Sequence, residues 1–385
     1  MKKTVLMTGI FAVLVLLVGC KKDLDLGPET TPAPLPTSQL KKRSCTMQTH
    51  TNRLLQDPNY RQAHQLKFEK VRSMVAERNA CTTPVVIPVA VHFQDITNPD
   101  AACLRQLAEN QIRILNADFQ ATNDDLAKWT NEAASFFPGI SNGETCIRFC
   151  LATQNHPSGY ELSEGGPAVT INTTTGDFDT KWADYLNIFV QPNLGSLGYS
   201  PLGGEGKGDG VVIDANAFGS GNGCGTVNPE SPFNLGRTLT HEVGHYLLLD
   251  HIWGDGCNVD DEVADTPEAE TDYAGCPALG ASSCGSADMH MNYMDYTDDA
   301  CMYVFSAGQS ARMENYLSSS LQHLIVKANS VCSADNGGGN TPSCTDGIQN
   351  GDESGVDCGG ANCPPCKNSA CELPNNINAI ASSSS

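Results

Sequence analysis

The sequence predicts an α/β (α+β) domain with a mixed sheet, and three observations carry that expectation. Short β-rich runs fall at residues 85–93, 146–151, 185–190 and 210–214, the length and composition of buried strands. Helical patterns alternate with them, at residues 104–118 (Leu104, Leu107, Ile112, Leu115, Phe119) and again at 234–250, the order of a layered domain with helices against a sheet. From residue 333 onward the chain turns Gly-, Asn- and Cys-rich, which cannot build a core of its own and must be stapled.

Taken in order, residues 1–20 read as an export signal: Lys2 and Lys3 precede an apolar run over 5–18 that is too short for a membrane span, which needs about 20 residues. The run ends Leu17-Val18-Gly19-Cys20. That ending resembles a bacterial lipoprotein box, so acylated Cys20 would begin the mature chain at the outer membrane or cell surface, or before release to the extracellular space. Residues 21–44 are a Pro/Thr-rich tether. Residues 45–80 read as a prosegment with a helical pattern from 58 to 78. Residues 41–80 hold nine of the 23 Lys and Arg against only Asp57, Glu69 and Glu77, a charge of +6 on a protein otherwise at −27. A solvated basic arm and a detachable prosegment held on an acidic domain both fit that charge. Residues 81–332 form the main domain, and a second amphipathic helix is expected over 306–328. A linker (333–343), a Cys-rich module (344–371) and a Ser-rich tail (372–385) follow.

A net charge of −21 and a pI near 4.6 exclude nucleic acid and an anionic membrane face as natural partners. Seventeen cysteines point to an oxidising compartment. Cys146 and Cys150, on one strand, would stand about 13 Å apart and cannot pair with each other.

The helix expected over 234–250 carries His241-Glu242-Val243-Gly244-His245, and His251 follows. Leu235, Leu239, Val243 and Leu247 make a stripe for the core, while His241, Glu242 and His245 share the other side. Imidazoles at i and i+4 lie about 6 Å apart, close enough to hold one ion, and H-E-x-x-H is a zinc motif whose glutamate is a general base. A third imidazole from His251 closes the site if the chain turns sharply after the helix. Three neutral imidazoles leave zinc its full charge and a fourth position for water, which can then ionise near pH 7.

These residues, with Met291-Asn292-Tyr293-Met294-Asp295-Tyr296 downstream, resemble the pappalysin family of metzincin zinc endopeptidases. The resemblance extends from Tyr185-Leu186-Asn187-Ile188 to Gln309-Ser310-Ala311-Arg312-Met313. It implies a metzincin-type zincin domain acting on protein or peptide substrates, here as a monomer. His241, His245 and His251 would be zinc ligands, Glu242 the base, Met294 the Met-turn residue, and Tyr296 a switchable ligand or oxyanion donor. It also implies the pairs Cys257–Cys284 and Cys276–Cys301, and calcium in the loop of Asp260, Asp261, Asp265 and Thr266, with Asp261 and Thr266 as ligands. One departure is Leu248, where the family has Gly. A left-handed Leu costs about 1–2 kcal/mol, so Leu248→Gly is expected to relieve the turn.

Asp299 lies five residues past Met294, where chains of this class wall the primed-side pocket, and a carboxylate there would favour Arg or Lys just after the cleaved bond. Cys45, within Arg43-Ser44-Cys45-Thr46, resembles the family's cysteine switch. Its thiolate would displace the water that the reaction needs, keeping the precursor latent. A disulfide to the odd half-cystine of the C-terminal module is the alternative for Cys45. Two rival functions are a catalytically inactive surface-binding lipoprotein, supported by Leu248, and a cell-wall or carbohydrate binder acting through the C-terminal module.

Overall fold

The computed structural model describes residues 42–74, 81, 84–259 and 261–332. Cys20, the tether up to residue 41, Asp260, and the linker, module and tail lie outside the described residues.

The arm begins with a short helix that the sequence pattern does not signal, α1 (Met47–Leu54). It continues in α2 (Pro58–Arg72), where Asp57 caps the Asn59 amide and Pro58 fills the first turn. The helix ends well before residue 78.

Strand β1 (Val85–Phe93) is the centre of the sheet. Its flanks are β2 (Ile147–Leu151) and β3 (Val169–Ile171) on one side and β4 (Leu186–Gln191) on the other, all parallel to it. Beyond β4 lie β6 (Gly210–Asp214), parallel to it, and then β5 (Gly198–Tyr199), the antiparallel edge. Parallel strands need crossovers, and their β-branched runs are buried on both faces. Val89, Val91 and Phe93 point into the main core beneath α3 (Ala101–Phe119). Ala90 points to a second cluster with Trp182, Tyr185 and Val331.

The helix read over 234–250 is shorter: α4 runs Arg237–Tyr246. Gly236 (φ 77°) precedes it, and Leu248 (φ 73°) follows. Leu235 therefore lies outside the helix and 39% exposed, not in the core stripe. The pattern over 306–328 is two helices, α5 (Ala307–Ser320) and α6 (Gln322–Val331), broken at Leu321 (φ −117°). A reciprocal capping box between Ser306 and Gln309 starts α5.

Five disulfides close the described domain: Cys81–Cys146, Cys103–Cys224, Cys150–Cys332, Cys257–Cys284 and Cys276–Cys301. Cys45 is a free thiol. Among the described residues no helix is long and apolar enough to cross a membrane.

Candidate active site

Helix α4 is buried along its whole length, with β6 on one side and α3 on another. Asp118 of α3 ties it down: it accepts from Thr240 Oγ1 at 2.6 Å and from Tyr293 Oη at 3.1 Å, and it pairs with Arg237. Tyr293 belongs to the Met-turn, so one carboxylate holds the helix and the turn together. Close approach completes the join. A Cβ on Gly244 would lie 2.5 Å from Met294 Sδ, so only glycine lets the methionine pack beneath the histidine helix.

The imidazoles are held from behind. His241 Nδ1 donates to the Tyr293 carbonyl at 2.6 Å, and His245 Nδ1 donates to the Leu249 carbonyl at 2.7 Å. His251 stacks on Trp253 at 4.3 Å. With the protons of His241 and His245 spent on Nδ1, their Nε2 lone pairs face inward. His245 Nε2 lies 3.1 Å from both His241 Nε2 and His251 Nε2. Two acceptors at that distance repel unless a cation stands between them, and nitrogen ligands about 2.0–2.1 Å from zinc leave such a spacing. Burial holds His245 down at about 4 and the other two well below the usual imidazole range, so all three are neutral, the form that binds metal. The donor set fits zinc.

Leu248 makes the sharp turn to His251 in the left-handed conformation expected of it. Its side chain is fully buried, however, and its carbonyl accepts from Arg312 Nε at 2.8 Å. Replacing it by glycine would relieve about 1–2 kcal/mol of backbone strain and forfeit about 2–5 kcal/mol of packing. The relief expected from Leu248→Gly is outweighed.

The arm enters this centre as an extra strand. Thr46 N donates to the Gly198 carbonyl at 3.2 Å and Leu197 N donates to the Ser44 carbonyl at 3.0 Å, along the β5 edge. Cys45 Sγ reaches Glu242 Oε2 at 3.3 Å, and its metal-binding atom lies within 4.8 Å of those of all three histidines. Burial pushes Glu242 up to about 8, while the Cys45 hydrogen bond and the Arg43 charge pull the other way. Tyr296 Oη donates to the Cys45 carbonyl at 3.3 Å.

Two residues earlier, in the stretch read as tether, Arg43 is 2% exposed. It pairs with Asp299, donates to Thr238 Oγ1 at 2.9 Å and to the Thr297 carbonyl at 3.2 Å, and lies over the Phe233 ring. Asp299 also accepts from the amides of Leu235 (2.7 Å) and Arg237 (3.3 Å). An anion at the start of α4 is favoured by the free amides there. That second duty of Asp299, and the backbone carbonyls behind the histidines, carry no sequence signature.

Away from the cleft, Asp261 Oδ1 accepts from Thr266 Oγ1 at 2.7 Å and Val263 N at 3.0 Å, and Oδ2 is buried without a partner. Burial raises its carboxyl to about 7. An orphaned carboxylate oxygen beside a hydroxyl suits a hard cation such as calcium.

A mixed sheet, a histidine helix and a methionine turn under three converging imidazoles define a metal-dependent peptidase of the zincin class. The family model described as pregnancy-associated plasma protein-A, peptidase family M43, matches residues 177–318. An extracellular metalloprotease of Arthroderma benhamiae is 40% identical over 249 residues, covering 60% of this chain and 73% of that protein. One from Verticillium alfalfae is 41% identical over 145 residues, covering 34% of this chain and 48% of that protein. The solved structure of a single-residue mutant of Tannerella forsythia promirolysin superposes with a TM-score of 0.58 at 30% identity, covering 76% of this chain and all of that one. Mature mirolysin with a cleaved peptide gives 0.52 at 32% identity, covering 66% of this chain and 99% of that one. The chain belongs to the M43 family of metalloproteases.

Proposed function

We propose that the protein is an exported zinc metalloendopeptidase made as a latent zymogen, with Glu242 as general base and residues 42–74 as the inhibitory arm. The observation that carries the reading is Cys45 standing among His241, His245 and His251, all four ligand atoms within 4.8 Å. A thiolate there completes a tetrahedral zinc site and leaves no place for water.

Bound zinc supplies a Lewis acid that lets water ionise near neutral pH and polarises the scissile carbonyl. The chain's own groups do the rest. Glu242, once Cys45 has left, takes a proton from the attacking water and returns it to the leaving amine nitrogen. Tyr296 Oη, which now donates to the Cys45 carbonyl, is freed to donate to the developing oxyanion. The β5 edge, which now holds Ser44 and Thr46, accepts substrate backbone in their place. Asp299 selects Arg or Lys just after the cleaved bond, and Arg43 occupies that place in the precursor. Asp261 and Thr266 hold calcium, and Cys20 carries the lipid. The relatives' name, extracellular metalloprotease, supports export.

Glu242→Ala is expected to abolish casein hydrolysis while zinc stays near one per chain, because the base is not a ligand; loss of zinc or unchanged turnover refutes the assignment. Cys45→Ser precursor is expected to cleave casein without trypsin, whereas the wild type requires it. Equal silence or equal activity of the two precursors sinks the switch.

A further inference from the structure

Beside Arg43, the neighbouring Lys42 forms an ion pair with Asp272 Oδ2 at 2.8 Å. The two carboxylates met by this basic pair are structurally joined. The Cys276–Cys301 disulfide ties the loop carrying Asp272 to the turn carrying Asp299, and Asp298 N donates to the Gly275 carbonyl at 2.9 Å. Asp272 is also held in place from its own side. Tyr273 N donates to Asp295 Oδ1 at 2.8 Å and Tyr273 Oη donates to Asp288 Oδ2 at 2.7 Å. The Asp272 side chain is 16% exposed, while that of Lys42 is 59% exposed. A carboxylate fixed by its surroundings thus meets a solvated ammonium, as a binding subsite meets a ligand side chain. Asp272 belongs to the cleft electrostatically too: after burial, Cys45 and Glu242, its charge helps to raise the Tyr296 phenol.

We infer that Asp272 forms a second basic-selective subsite next to the Asp299 pocket, so that the preferred substrates carry two consecutive basic residues after the cleaved bond. The inference rests on the peptidase reading above. The arm occupies the cleft that substrate must use, and its side chains fill the pockets that substrate side chains will fill. The arm runs toward the metal from Lys42 to Cys45, parallel to β5. A substrate with its first primed residue in the Asp299 pocket runs the opposite way, antiparallel to β5, and its next residue leads away from the metal to where Lys42 meets Asp272.

The test uses the full chain, zinc-loaded, activated with trypsin and then treated with soybean trypsin inhibitor. Quenched peptides are compared with Arg in the first primed position and Lys, Gln or Glu in the second, with mass spectrometry locating the cut. An alanine series in the first position reads the second position independently of Asp299. For partly exposed charge pairs the expected preference in kcat/KM for Lys over Gln is about three- to fivefold. That ratio falls to about one in Asp272→Asn, and Asp272→Lys favours Glu instead. The ratio is internal to each variant, so a partly folded preparation does not disturb it. A wild-type ratio near one, or a ratio unchanged in Asp272→Asn, overturns the inference. Loss of the Arg preference alone would refute the Asp299 role and leave this one readable in the alanine series. Absence of all cleavage would refute the peptidase reading and this inference with it.

Discussion

The two ends of the arm meet the domain in opposite ways. At Arg43 the guanidinium is buried with Asp299, their side chains 1% and 0% exposed, and the strand that follows lies against β5 with Cys45 among the histidines. At α2 an apolar anchor, buried Val71 with Phe68 against the main core, is ringed by exposed polar contacts. Arg72 pairs with Glu262 at side-chain exposures of 57% and 26%, and Lys70 donates to the Ser319 carbonyl. Lys67, paired with Glu205 at 3.1 Å, is largely covered. The arm's buried polar contacts are therefore concentrated at Arg43 and Cys45, while α2 adds ion pairs that salt can screen to its apolar anchor.

The largest effect is expected from breaking the buried end. Arg43→Ala leaves the Asp299 carboxylate buried without its cation and should lower precursor stability by about 3–5 kcal/mol, read from denaturant midpoints. The double variant with Asp299→Asn should lose less than the sum of the two single changes. A loss under about 1 kcal/mol for Arg43→Ala would erase the distinction between the two ends.

A middle effect sharpens the comparison from outside the arm. Asp299 takes its cation from the arm, whereas one oxygen of Asp261 is buried without a partner. Calcium at a hundred times its dissociation constant should stabilise the chain by about 2.7 kcal/mol, and Asp261→Ala should abolish that shift. A calcium-induced rise in melting temperature that survives Asp261→Ala would place the ion elsewhere. The smallest effect belongs to the exposed end: Arg72→Ala should cost about 0–1 kcal/mol and vanish in 1 M NaCl. A loss above about 2 kcal/mol would show that the pair is shielded in solution, unlike its exposure here.

Local patterns were legible wherever local physics decides the outcome. Strands β1 and β6 were read to the residue, because continuous β-branched runs have no alternative when both faces are buried. The histidine spacing announced the metal site, since i and i+4 on a helix must coincide in space. The left-handed turn at Leu248 followed from a position where the family uses glycine.

What needed tertiary structure was every quantity that depends on a partner far along the chain. The sequence carried the backbone cost of Leu248 but not its burial, which sets a packing loss against the relief expected from Leu248→Gly. Helix α4 starts late at Gly236 and ends early before Leu248, though the apolar spacing runs on through both. The partners of Cys81, Cys103 and Cys150 lie 65 to 182 residues away, beyond the reach of any spacing rule. The pairing of Arg43 with Asp299 joins residues 256 positions apart. Charge in a sequence states only that a basic arm and an acidic domain will attract. Which carboxylate is dry enough to hold one guanidinium is set by the packing around it, and packing is a property of the folded chain alone.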